Sequence, residues 1–153
     1  RLGTLLIRGG EESDGLNEAK IFLKKAITIK DDYYNAHETL GIVNKYLTNY
    51  DNAIENFLTT INILGDKSKK RYKSLYLLAD IYNTKKEYKT AKDYALLAVD
   101  IKENSGPANF YLGIAYKNLD DRSRAKDAFK RASKDKDWRA SANYELDLIE
   151  KGK

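Results

Sequence analysis

The sequence predicts an all-α protein in which antiparallel helix pairs stack one on the next. Three observations predict it. Ala19, Ala53, Ala91 and Ala125 recur at steps of 34, 38 and 34 residues, each inside the same apolar frame. A period near 34 residues is the length of one helix–turn–helix repeat, a unit that buries its apolar face only by stacking. Around each alanine, apolar residues fall three, four and seven apart, which places them on one stripe of a helix. The composition agrees: the 153 residues include one proline, and a third are charged, a helix-permissive mixture. A chain of this length makes one domain with its own core.

The first repeat, residues 1–32, keeps a good second helix over 16–29. Its first helix has to come from residues 2–8, where Gly9-Gly10 disfavours continuation. A short or displaced opening helix is expected, then a loop over 11–15. Leu2, Leu5, Leu6 and Ile7 read as the remnant of a longer array. Asp31-Asp32 opens the second repeat, 33–66. The 38-residue step places four extra residues, about one helical turn, before the third repeat, 67–104. The expectation is that Gly65-Asp66 breaks the chain and the next helix starts a turn early, near 67–70. Asn104-Ser105-Gly106-Pro107 opens the fourth repeat, 105–137, with Pro107 suited to a first helical turn. Trp138, Ala142, Leu146 and Ile149 form the apolar stripe of a capping helix, 138–151. Arg139, Glu145, Glu150 and Lys151 leave its other side polar, and Gly152 is a stop signal.

Aligned on the alanines, LGIVNKYLTNYDNAIENFLTT from Leu40, LADIYNTKKEYKTAKDYALLA from Leu78 and LGIAYKNLDDRSRAKDAFKRA from Leu112 share one pattern. Leu40-Gly41, Leu78-Ala79 and Leu112-Gly113 open it. Tyr82 and Tyr116 supply an aromatic where the second repeat has Asn44. Tyr50 and Tyr88 stand near the turn, with Leu16 and Arg122 in their place in the outer repeats. Phe57, Phe129 and Leu23 are the large residues of the second helix, against Ala95 in the third repeat. Ala26, Ala98 and Ala132 close three repeats and Thr60 the other. Small residues at Gly41, Ala79, Gly113 and the alanines allow paired helices to approach closely, where larger ones would overpack. This pattern resembles the tetratricopeptide repeat over nearly the whole chain. The resemblance implies a right-handed superhelical solenoid of about four repeats plus the C-terminal capping helix.

Chemistry finds little foothold in the residues. With no cysteine there is no thiolate site or disulfide framework. His37, the one histidine, falls at an inward position of a first helix, where packing or a local hydrogen bond accounts for it. No phosphate-binding loop or nucleophile elbow occurs. The acidic pairs Glu11-Glu12, Asp31-Asp32 and Asp120-Asp121 sit at predicted turns and lack calcium-loop spacing. The expectation is a non-enzymatic protein with no cofactor. A net charge of +5 is mild for a nucleic-acid domain. No apolar stretch is long enough to span a bilayer and no signal-peptide core is present. The chain opens at Arg1 without a methionine and reads as a fragment of a longer protein. Its Lys-, Asn-, Ile- and Tyr-rich usage fits an AT-rich bacterial genome, and its location stays open between cell envelope and cytoplasm.

The resemblance also implies where a partner would sit, in the groove lined by the first helices. The alignment places Asn35, Glu38, Ile42 and Lys45 there, then Lys73, Tyr76, Asp80 and Asn83, then Phe110, Ile114 and Lys117. Exposed Tyr76 and Phe110 are expected to supply apolar contact, with Lys45, Asn83 and Lys117 orienting a peptide backbone or carboxylate. The carboxylate clamp of chaperone-binding members is not matched, since Glu38, Ile42, Thr4 and Arg8 occupy its places. The function expected is therefore a scaffold or adaptor holding a protein or peptide partner, an extended segment or one helix. Two alternatives stand beside it. The basic run Lys67, Lys69, Lys70, Arg71 and Lys73 is an electrostatic candidate for nucleic acid or an anionic membrane surface. Nucleic acid is disfavoured because the aromatics sit at packing positions rather than interleaved with the run. Membrane contact would be peripheral or through an anchor outside this sequence. Self-association through residues 2–7 is the other alternative.

Overall fold

The computed structural model describes residues 11–152, which form helices joined by short connections, with no strand among them. They form two compact units, one ending at Lys67 and one beginning at Ser68. No helix among the described residues is long and apolar enough to cross a membrane.

In the N-terminal unit, α1 (Glu11–Ile29), α2 (Tyr34–Tyr46) and α3 (Tyr50–Leu64) follow one another. Ala36, Leu40 and Val43 of α2 meet Ala53 and Phe57 of α3 in a core closed to solvent. Gly41 is the contact point. A methyl group there would lie 2.7 Å from the Phe57 ring, so glycine lets the two axes close and the phenylalanine fill the gap. The expected loop over 11–15 is instead the first turn of α1. A lone helical glycine such as Gly15 costs only about 1 kcal/mol, and Asp14 near the N-terminus favours the helix dipole. The expected opening helix over 2–8, with Gly9-Gly10, lies outside the described residues.

Along the chain, α3 ends where Gly65 takes a φ of 72°, a left-handed conformation that suits glycine. The inserted turn differs from expectation in kind. Residues Lys69–Arg71 form a 3₁₀ turn that runs into α4 at Tyr72, rather than an early α-helical turn. Ser68 caps it by accepting the Lys70 N–H at 3.3 Å.

The C-terminal unit comprises α4 (Tyr72–Thr84), α5 (Tyr88–Ile101), α6 (Gly106–Asn118), α7 (Arg122–Ala132) and α8 (Arg139–Glu150). Each helix packs on the next, and α4 also packs on α6. Ala91, Ala95 and Ala98 of α5 and Ala125, Ala128 and Ala132 of α7 are buried, so the alanine ladder is the line along which helices touch. Gly113 and Phe129 repeat the Gly41–Phe57 arrangement: a methyl group at Gly113 would lie 2.6 Å from the Phe129 ring. In α8, Ala142 and Ile149 are buried and Leu146 is half-buried, as is Trp138, the N-cap residue before it. One residue of its polar side departs from expectation: Glu145 turns inward and holds Lys117 at 2.6 Å.

The same turn joins α2 to α3, α4 to α5 and α6 to α7. Thr48, Lys86 and Asp120 occupy its left-handed position, with φ of 59°, 62° and 61°. The following N–H groups, of Asn49, Glu87 and Asp121, reach back to the carbonyls of Asn44, Tyr82 and Tyr116 at 2.8, 2.8 and 3.0 Å. This is the Schellman closure of a helix C-terminus, usually made with glycine. A β-branched residue is the least suited to that conformation. Thr48→Gly should therefore stabilise the protein by about 0.5–1 kcal/mol, read as a raised urea midpoint.

Candidate functional site

The C-terminal unit brings α4, α6 and the start of α8 to one side, and their aromatic side chains form a file across it. Tyr72 meets Tyr76 edge-on with centroids 5.1 Å apart. Tyr76 stacks with Tyr111 at 6.5 Å and 18°. Tyr111 meets the Trp138 ring edge-on at 5.4 Å. All four rings are half-buried and packed on one another. Offset and edge-to-face arrangements are those that ring quadrupoles favour.

Polar contacts fix the file in place. The Tyr72 hydroxyl pairs with the Ser105 hydroxyl, and Ser105 in turn accepts the Ala108 N–H at 3.2 Å as the N-cap of α6. Burial pushes the Tyr72 phenol above its ordinary range, against the opposing hydrogen bond from Ser105 and with a smaller upward push from Asp135. The Lys102 ammonium lies 5.8 Å from the Tyr72 ring centroid. Asn83 of α4 donates from Nδ2 to the Tyr111 carbonyl at 2.9 Å, tying α4 to α6 beneath the stacked rings. Lys117 is held by Glu145 of α8.

These contacts sort the residues expected from sequence. Lys73 is exposed on α4, and Tyr76, Asp80 and Ile114 are half-buried on the helices that carry the file. Phe110 does not stand free as expected. Its ring lies 5.6 Å from Phe129 and 5.0 Å from Trp138, in the seam toward α7 and α8. Asn83 and Lys117 are engaged within the unit, so their first role is to hold helices together. In the N-terminal unit Asn35 is exposed, while Glu38, Ile42 and Lys45 are half-buried along α2. The Lys45 ammonium lies 5.9 Å from the Tyr46 ring. His37 sets its Nε2 2.9 Å from the Asp31 carbonyl, a bond local to the start of α2. Of the basic run, Lys67, Lys69, Lys70 and Lys73 are exposed and Arg71 half-buried. The clamp positions Thr4 and Arg8 and the assembly segment 2–7 lie outside the described residues. Among the described residues no group of three His, Asp or Glu is placed to hold a metal ion.

Tyr72, Tyr111 and Trp138 are the residues that the period did not assign to this face. Tyr111 stands one position past the partner of Tyr76 in the 34-residue frame, so an alignment by repeat hides their stacking. The signal available was density: Tyr72, Tyr76, Phe110 and Tyr111 put four rings on two first helices.

Residues 72–105, which carry α4, the α4–α5 turn and α5, match the tetratricopeptide repeat family model. This segment is a tetratricopeptide repeat. Solved structures extend the likeness from the repeat to the fold. MamA matches over 96% of this chain and 85% of its own, with a TM-score of 0.78 at 18% identity. MamA of Desulfovibrio magneticus RS-1 matches 78% of this chain with a TM-score of 0.70 at 19% identity. YrrB, a TPR protein with an unusual peptide-binding site, matches 84% with a TM-score of 0.68 at 22% identity. This chain spans 65% and 64% of the latter two, under two thirds of each. A comparison with curated proteins returns no match. The all-helical fold is thus that of tetratricopeptide-repeat proteins, which generally serve as non-enzymatic interaction scaffolds.

Proposed function

We propose that this protein is a non-enzymatic scaffold whose C-terminal unit holds a protein segment across α4, α6 and the start of α8. The observation that carries this reading is the ring file Tyr76–Tyr111–Trp138. Half-buried aromatics anchored from behind lose little entropy on binding and give large apolar contact, the character of interface hot spots. Exposed Lys73 and half-buried Asp80 beside the file supply charges of both signs at its edge, suited to a partner of mixed polarity. Asn83 and Lys117 support this face from beneath rather than reading the partner. The peptide-binding site of YrrB is a precedent for peptide binding on this fold.

The test is photocrosslinking in native cells with the full-length protein. A photoreactive phenylalanine in place of Tyr76 should give a discrete adduct, and the same group at Tyr144, which is 63% exposed on α8, should not. The double variant Tyr76→Ser, Tyr111→Ser should weaken capture of that partner about tenfold or more, at least about 1.4 kcal/mol, with helical circular dichroism retained. Unchanged capture would reject the face. Capture that instead collapses on Lys69→Glu, Lys70→Glu and falls steeply with salt would reject it in favour of the basic run.

A further inference from the structure

The N-terminal unit holds a cleft that its own repeat pattern explains. It lies among α1, α2 and α3, has a volume of about 430 Å³, and is lined by Lys20, Lys24, Asn44, Asn52 and Glu55 among others. The C-terminal unit has the counterpart 72 residues on, among α5, α6 and α7, and there the volume is only about 200 Å³. The difference follows residue by residue. Asn44 corresponds to Tyr116 and Asn52 to Arg124. In the counterpart the Tyr116 ring occupies the space, and the Arg124 guanidinium lies 4.7 Å from its centroid. The aromatic position recurs at Tyr82, whose ring stacks on Tyr94 at 5.5 Å and 4°.

In the N-terminal unit an asparagine stands where a ring belongs. Asn44 is 2% exposed, and its amide oxygen is buried with no hydrogen-bond partner. A buried acceptor left unpaired is a standing cost that a ligand donor relieves. Lys20 and Lys24 line the wall, so a ring entering the cleft would meet cations, as Tyr116 meets Arg124. The two requirements, an aromatic ring and a hydroxyl donor, are met together by a phenol.

We propose that this cleft receives the phenol side chain of a tyrosine from a partner protein, which supplies the ring that Asn44 omits. The ring fills the vacated repeat position and its hydroxyl donates to the Asn44 oxygen. This site is separate from the α4–α6 face and does not depend on it.

The experiment is an amide-resolved NMR titration of the intact chain with N-acetyl-tyrosinamide. The expected result is saturable shifts confined to residues around Asn44, with N-acetyl-phenylalaninamide binding at least about fivefold more weakly because it lacks the donor. Asn44→Tyr should fill the cleft internally, abolish binding and raise the melting temperature. Asn44→Leu, which removes the acceptor without supplying a ring, should erase the preference for tyrosine over phenylalanine while the spectrum stays folded. Absence of saturable shifts, or binding that survives Asn44→Tyr, overturns the proposal. Binding of p-cresol without binding of N-acetyl-tyrosinamide also overturns it, by assigning the cleft to free phenols.

Discussion

Phe129→Ala should lower the stability of the C-terminal unit by about 3–5 kcal/mol, the largest effect expected of any single substitution here. Phe129 is fully buried. Its ring covers Gly113, where a methyl would come within 2.6 Å, and is met edge-on by Phe110. Truncation removes the ring from a contact that two helix backbones, α6 and α7, close upon, so collapse around the cavity is limited. The partner substitution tests the same geometry from the other side. Gly113→Ala adds helix propensity of about 1 kcal/mol but drives a methyl into the ring, an overpacking cost of about 1–3 kcal/mol. In the wild-type background the net should be destabilising or near zero. In the Phe129→Ala background the clash is gone and the same methyl occupies vacated space, so Gly113→Ala should stabilise. A double-mutant cycle by urea denaturation should return a coupling of at least about 1 kcal/mol. Additive effects would mean that the ring does not rest on the glycine.

The two positions were legible in the sequence as residue types, a small one on the first helix and a large one on the second, though not their contact, and the reason is physical. Gly41 with Phe57 and Gly113 with Phe129 are equivalent contacts made within each helix pair. Such contacts recur at the repeat period and leave a recurring pair of residue types. The alanine ladder, the capping stripe of Ala142 and Ile149 and the stop at Gly152 were readable for the same reason. What the period hides is contact between non-equivalent positions. Tyr76 meets Tyr111, one residue out of frame, and Trp138 reaches both Phe110 and Tyr111 from the start of α8. Glu145 reads as solvent-facing on its own helix and is claimed by Lys117 from another. Asn83 and Lys117, which the repeat frame assigns to a ligand, are engaged by neighbouring helices for the same reason. Asn44 is the converse case: its departure from the aromatic position was plain in the alignment, while the cleft it opens needed three helices in place to be seen.

Asn109→Ala should cost about 2 kcal/mol, within the range for depriving a buried polar group of its partner, and here too the cause lies between elements. Asn109 is fully buried, one turn into α6. Its Nδ2 donates to the Glu103 carbonyl at 2.7 Å and to the Ser105 carbonyl at 2.8 Å. It thereby stitches the α5–α6 connection, Glu103 to Ser105, against the helix that the connection leads into. Ser105 keeps a second donor, the Asn109 N–H at 3.1 Å, so alanine chiefly deprives the Glu103 carbonyl. A part-buried acceptor that loses its donor costs about 1–3 kcal/mol. Asn109→Asp separates this hydrogen bonding from mere packing, because it preserves shape and removes the donors. At neutral pH the new carboxylate would face two carbonyl oxygens while buried, so the loss should exceed that of Asn109→Ala. Burial beside acceptors raises the folded-state pKa of such a carboxyl above its unfolded value. The deficit is then smallest below about pH 4, where both states are protonated and the acid O–H can donate to one carbonyl. It grows as pH rises from the unfolded toward the folded pKa and is complete above the latter. Thermal denaturation at several pH values gives the readout, with the Asn109→Ala deficit measured beside it. If Asn109→Asp matched wild type at neutral pH, the side chain would not be acting as the donor that joins the two repeats.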